Sequence, residues 1–224
     1  MSYSQLYVLN EDLKAEYIEE YQNSWLFPIP LGSYLINAYA TEEEKAEEVS
    51  RQVNYYHNEE VNKEAPFNIL SFFMFDSDGN NWRKINQRIN QSSDLFDRIG
   101  WELIMQQMFE TKEKYLIAQA IEKLCQRCNG DSERFNKIAK DIRNIKENCP
   151  YFIFKNNTID DGVEKFFSYY NEKIDDYEDT GLKETPYQLK FDIVKIHDGM
   201  MSFVNPYKEL NIAKKEGETN DENN

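Results

Sequence analysis

The sequence predicts an α+β fold, mainly α-helical: a central helical hairpin over residues 93–130, with a few short strands that include a C-terminal β-hairpin. Three observations predict it. Leu95, Phe96, Ile99, Leu103, Ile104, Met108 and Phe109 recur at helical spacing, apolar over most of the helix surface, as in a buried helix. Leu116, Ile117, Ala120, Ile121, Leu124, Cys125 and Cys128 form a second stripe of the same period. Near the C-terminus Tyr187, Leu189, Phe191 and Ile193 alternate with Gln188, Lys190 and Asp192, and His197-Asp198-Gly199 then signals a hairpin turn before Met200–Val204. Phe109-Glu110-Thr111 is the expected corner of the helical hairpin, with Thr111 as N-cap, and Asn129-Gly130 its expected end.

In chain order, Gln5–Leu9 reads as a short strand. From Glu11 the spacing of Leu13, Tyr17 and Tyr21 predicts a helix, with Glu11 and Asp12 at its positive end. Pro28 and Pro30 predict a break and an extended path through Trp25–Gly32, followed by a short helix over Ser33–Ala40. Thr41-Glu42-Glu43-Glu44 is a capping box, opening a helix with Ala46, Val49, Val53 and Tyr56 on one face. Phe67–Phe75 reads as a buried strand ending in the Asp76–Gly79 turn, with a buried helix as the alternative, and Trp82, Ile85 and Ile89 as a short helix. Phe135, Ile138, Ile142 and Ile145 mark an amphipathic helix, which Pro150 is expected to stop before a strand at Tyr151–Phe154. Thr158–Asp161 signals a further helix with Val163, Phe166, Phe167, Tyr170 and Ile174 inward, and Asp175–Thr185 an acidic loop. Residues 1–212 are expected to form one domain and the polar residues 213–224 a disordered tail.

Charge is the most informative bulk property. The 224 residues carry 41 acidic and 26 basic side chains, net −15. Residues 1–60 hold 12 acids against 3 bases, and residues 157–224 hold 16 against 8, so both ends are acidic and the middle is close to neutral. Such a chain is repelled by nucleic-acid phosphates and anionic membranes, and its electrostatic partners are basic. No apolar run approaches the roughly 20 residues of a membrane span, and the opening Met-Ser-Tyr-Ser-Gln-Leu predicts no secretory leader. Three cysteines without framework spacing predict a reducing, cytoplasmic setting.

Chemical motifs are few. The eight glycines form no phosphate loop. Cys125, Cys128, Cys149 and His197 offer a Cys₃His set, but only the first pair has zinc spacing, and no metal or cofactor is expected. Asp76-Ser77-Asp78-Gly79-Asn80 resembles the start of an EF-hand calcium loop; Asn81 stands where that family needs glycine, and Gln87 where it needs a bidentate glutamate. Arg51 and His57 have the Arg-x₅-His spacing of the HEPN ribonuclease family. That resemblance implies RNA cleavage, with His57 moving the proton and Arg51 holding phosphate charge. On a regular helix those two side chains lie roughly 120° apart, and Glu47 sits four residues before Arg51 as an ordinary ion-pair partner.

The acidic clusters carry the leading expectation. Glu43, Glu44, Glu47 and Glu48 crowd one helix start, and Asp175, Asp176, Glu178 and Asp179 one loop. The pairs Glu43/Glu47 and Glu44/Glu48 place like charges four apart, which costs helix stability. The expected function is therefore non-enzymatic: these eight residues bind and block a basic surface of a partner protein, in the manner of an inhibitor, an immunity protein or a mimic of nucleic-acid charge. The HEPN-like ribonuclease and a metal-stabilised scaffold are the alternatives.

Overall fold

A computed structural model describes residues 3–9, 15–23, 26–55, 80–157, 168–171, 173–179 and 192–205. The chain opens with strands β1 (Tyr3–Leu9) and β2 (Ala15–Gln22), then helices α1 (Pro28–Tyr39), α2 (Glu42–Tyr55), α3 (Asn80–Asn90) and α4 (Leu95–Ile104). Strand β3 (Met108–Glu110) and a 3₁₀ turn (Thr111–Glu113) lead into α5 (Lys114–Arg127) and α6 (Ser132–Arg143). Strand β4 (Tyr151–Asn157), the hairpin β5 (Ser168–Asn171)–β6 (Asp176–Asp179) and the hairpin β7 (Ile193–His197)–β8 (Met200–Val204) follow. The fold is α+β with helix predominant.

Among the described residues six strands form one mixed sheet in the order β2-β1-β4-β3-β7-β8, with β3 and β7 parallel and the other neighbours antiparallel. Residues opposite one another in register share a face of the sheet. Leu6, Val8, Phe109, Phe152, Phe154 and Val194 therefore line one face, and all six belong to the core shared with the helices. Phe27, from the turn before α1, wedges into this layer, 4.9 Å from the Phe154 ring and 4.8 Å from Phe135 of α6. The other face carries Leu9, Met108, Ile153 and Ile193, also buried. Strands buried on both sides read as near-continuous apolar runs, as Tyr151-Phe152-Ile153-Phe154 does.

Both helices expected over 93–130 are present, as α4 and α5, and they pack together. Their connection differs from a corner. Met108 and Phe109, counted in the helical stripe, form β3 between β4 and β7. Thr111 does not cap α5; its N-cap is Glu113, without a side-chain hydrogen bond. Asp94 caps α4 instead, accepting from the Phe96 and Asp97 amides. The end of α5 is a Schellman motif: Asn129 takes the left-handed φ of 51°, and the Gly130 amide reaches the Cys125 carbonyl at 3.0 Å.

Four other expectations are corrected. Residues 15–22 are a strand, not a helix: a spacing of four suits a helix face but is also even, so Tyr17 and Tyr21 fit a strand equally. Helix α1 begins at Pro28, because proline in a first turn lacks only an amide that no helical carbonyl awaits. Helix α6 ends at Arg143, well before Pro150, where the Asn144 amide turns back onto the Lys140 and Asp141 carbonyls. Tyr170 lies in β5, Ile174 is exposed in the following turn, and part of the expected acidic loop is β6. The turn Asp198-Gly199 has φ of 49° and 74°, the primed geometry that a two-residue hairpin needs. Residues 56–79, 158–167, 180–191 and 206–224, with the strands, turn, helix start and tail expected there, lie outside the described residues.

Candidate functional site

The capping box at Thr41 is formed. The Thr41 amide donates to Glu44 Oε2 at 2.8 Å, and the Glu44 amide to Thr41 Oγ1 at 3.2 Å. This box aims Glu44 inward, where it is 6% exposed and accepts from Arg88 of α3. The other Arg88 terminal nitrogen donates to the Tyr39 carbonyl, so one guanidinium joins the ends of α1, α2 and α3. Burial pushes the Glu44 carboxyl up, but hydrogen bonds from Arg88 and Thr41 outweigh it and hold it below the usual carboxylate range. Glu48, one helical turn on, is 0% exposed. Glu43 and Glu47 face outward, and Glu47 accepts from Asn81 Nδ2 at 2.9 Å.

The α2 cluster thus divides. Glu44 and Glu48 lie on the inner side of the helix and Glu43 and Glu47 on the outer, since residues four apart share a face. Ala46, expected inward, is exposed. In the second cluster, Asp175 is an exposed turn residue with φ of 53°, while Asp176, Glu178 and Asp179 belong to β6, in register with Asn171, Tyr169 and Ser168.

The rival sites do not assemble among the described residues. Arg51 lies on α2, and His57 lies outside the described residues. Cys125 Sγ contacts the Gly130 carbonyl at 3.5 Å, and burial pushes the Cys128 thiol up to about 11. His197 is exposed at a hairpin tip, its Nδ1 3.0 Å from Asp198. No three His, Cys, Asp or Glu side chains among the described residues are grouped to hold a metal. Asp76–Gly79 lies outside the described residues, and Asn81 is buried in α3.

Two buried polar centres escaped the sequence. Asp97 accepts from Tyr39 at 2.9 Å, Tyr34 at 3.3 Å and Arg127 at 2.7 Å, and Arg127 also contacts Asp94 at 2.8 Å. This network ties α1, α4 and α5 and satisfies the buried carboxylate. Glu102, 4% exposed, is pushed up to about 8 by burial and by the nearby Asp192 charge, so it is a neutral acid at pH 7.

A third feature lies on the surface. Among the described residues β2 is an edge strand, hydrogen-bonded on one side to β1. It carries Glu16, Glu19 and Glu20, with Tyr17 52% and Ile18 40% exposed. Register jumps from Tyr7/Tyr17 to Leu6/Glu19, so Ile18 is a bulge. Two clefts follow the seam between β2 and α6, on either side of the Tyr21–Asp141 hydrogen bond of 2.9 Å. One, of about 170 Å³, is lined by Glu16, Glu19, Asp141 and Lys146 among others; the second, of about 310 Å³, by Glu20, Asp131, Glu133, Arg134 and Lys137. Acids outnumber bases in each.

No family model matches the chain, and no curated protein or solved structure matches it either. The signal that locates the acidic edge is in the sequence, three glutamates within five residues beside Tyr17 and Ile18, but it is readable only once β2 is known to be a strand. No helix among the described residues is long and apolar enough to cross a membrane.

Proposed function

We propose that this protein is a non-enzymatic, acidic interaction protein that binds and blocks a basic surface on a partner protein, as inhibitors and immunity proteins do. The observation that carries the reading is the acidic sheet edge: Glu16, Glu19 and Glu20 stand on β2 beside exposed Tyr17 and Ile18. Charge at an exposed rim with an aromatic beside it suits fast, salt-sensitive docking. The net charge of −15 adds a long-range field of the same sign. Glu43, Glu47 and Asp175 remain candidate contacts, since their side chains face solvent. Glu44 is held by the capping box and Arg88 and Glu48 is buried, so neither presents its carboxylate to solvent.

The test is capture of the partner from the native host, followed by association kinetics against salt. The expected partner is basic at the contact, and its association rate falls steeply between low and physiological salt, the steered fraction being about 10-fold or more. A Glu16→Gln, Glu19→Gln, Glu20→Gln variant is expected to associate at least about threefold more slowly with an unchanged melting temperature. A partner that binds this variant at the wild-type rate, at every salt concentration, refutes the reading.

A further inference from the structure

We infer that β2 takes up an extended basic segment of the partner as an added strand, with two long cationic side chains of that segment entering the two clefts beside α6. This deepens the function proposed above and rests on it.

The backbone supplies the first reason. Strand β2 offers eight residues of sheet edge, with no second strand beside it among the described residues. The Glu20 amide donates to the Glu19 carboxylate at 3.2 Å, a contact an incoming carbonyl can displace. An added strand satisfies such groups in the way peptide-recognition domains use their sheet edges.

Charge selects the occupant. A second copy of this chain pairing through β2 brings Glu16, Glu19 and Glu20 of both copies onto one seam, which like-charge repulsion opposes. A basic strand on the same edge meets three carboxylates, of which Glu19 now contacts Lys137 at 3.3 Å and Glu20 accepts from Gln5 at 3.2 Å. The edge is therefore closed to its own kind and open to the opposite charge.

The bulge sets the spacing. Glu16 lies opposite Val8, and Tyr21 opposite Ser4. These two β2 residues are five apart in sequence, yet the extra residue Ile18 leaves them four positions apart along β1 and on the same, helix-facing side of the sheet. Glu16 lines the smaller cleft and Tyr21 the larger. A strand laid on β2 thus presents both clefts to side chains at positions i and i+4, which share a face and stand roughly 13 Å apart. The smaller cleft holds Glu16, Glu19 and Asp141 against Lys146, with Lys137 already contacting Glu19 at 3.3 Å and Asp141 at 3.1 Å, and the larger holds Glu20, Glu133 and the α6 N-cap Asp131 against Arg134 and Lys137, so Glu16 and Glu133 are the acids each cleft offers to a newcomer. Arginine fits, since its stem can lie along the exposed Ile18 beside the smaller cleft while its fork meets a carboxylate.

The experiment uses the full chain and an acetylated, amidated peptide as long as β2, made of threonine and valine with arginine at its second and sixth positions. Binding is followed by NMR titration of the β2 amides at low salt. Four control peptides carry glutamate in place of arginine, arginine at the second and fifth positions, or, in two of them, N-methyl groups on alternate amides along one edge or the other. The arginine peptide is expected to bind and to slow exchange of β2 amides. The controls are expected to bind about tenfold more weakly or not at all, the N-methylated one along whichever edge faces β2. Glu16→Gln and Glu133→Gln, one for each cleft, are each expected to weaken binding about threefold, Glu16→Gln with the melting curve unchanged and Glu133→Gln, in the first turn of α6, with a melting temperature lower by no more than about 4 °C. If both N-methylated peptides bind as tightly as the parent while salt still weakens binding, strand addition is overturned and the charge reading survives. If neither arginine peptide binds, or binding ignores salt, both are overturned. Concentration-dependent dimerisation that protects β2, without peptide binding, overturns the inference in favour of a second copy.

Discussion

Replacing Glu44 by Gln separates the two roles of the α2 acids. Glutamine can still complete the capping box, accepting from the Thr41 amide as the glutamate does now. It cannot neutralise Arg88, whose guanidinium then keeps only the Tyr39 carbonyl of its present protein partners. A hydrogen bond to a charged group contributes about 1.5–3 kcal/mol, and breaking a fully buried pair costs about 3–5 kcal/mol. Arg88 is 32% exposed at its side chain and so recovers part of its solvation, which places the loss near the bottom of these ranges, about 1–2 kcal/mol. For a chain of this size that lowers the melting temperature by roughly 2–8 °C. Glu43→Gln, on the outer face, removes a like-charge neighbour of Glu47 and leaves stability unchanged or raises it by a few tenths of a kcal/mol. The pH dependence has a definite sign. Glu44 is held below its unfolded value, so its contribution is complete above the unfolded carboxylate range and is lost as pH falls through the folded pKa. Thermal melts at pH 7 and at decreasing pH below 5 check this: the gap between wild type and Glu44→Gln is expected to close on acidification. Equal melting temperatures for Glu44→Gln and wild type at pH 7, with Arg88→Met also neutral, refute the ion-pair argument.

Three further predictions follow from buried or strained positions. Glu102, raised to about 8 by burial, binds a proton in the folded chain that the unfolded chain releases near pH 4.5, so stability falls as pH rises through that window. Glu102→Gln is expected to flatten that part of a urea-stability profile and to gain on the order of a few kcal/mol at pH 8. Arg127→Met leaves the buried Asp97 carboxylate with its tyrosine hydroxyls alone and is expected to cost about 2–3 kcal/mol by urea denaturation. Asn129→Ala, forced into φ of 51°, is expected to cost about 1 kcal/mol, and Asn129→Gly to cost nothing; equal losses in the two refute the conformational explanation.

Periodicity made α3, α6 and the paired helices α4 and α5 legible, because their buried residues repeat at 3.6 and their partners lie within the same stretch of chain. The Thr41 box and the Asp198-Gly199 turn were legible because each is settled by neighbours a few residues away. Strand β2 was not. Its pairing depends on β1 and a bulge, and a four-residue repeat of tyrosines does not distinguish the two periods. Strand β3 is too short to carry a period and exists only because β4 and β7 flank it. The acids of α2 were visible as a cluster, but which pair turns inward depends on Arg88, Asn81 and the packing of α3. The Asp97 and Glu102 centres draw their surroundings from residues distant in sequence, such as Arg127 and Asp192, and no local pattern announces them.

The order of strands in the sheet also sets a timetable for synthesis. The hairpin of β1 and β2 emerges before the rest of the sheet, but the inner neighbour of β1 is β4, which begins roughly 130 residues after β2 ends. At about 5–20 residues per second the inner edge of β1, with Leu6, Val8 and Leu9 along it, waits on the order of 10 seconds or more for its pair. For that interval the nascent hairpin has two open edges, and an apolar strand with free amides invites pairing with a neighbouring chain. The glutamates of β2 ride on the same hairpin, and their charge repels an identical nascent hairpin on the next ribosome. Neutralising them is therefore expected to lower the yield of folded protein made in the cell even where the melting temperature of the finished molecule is unmoved.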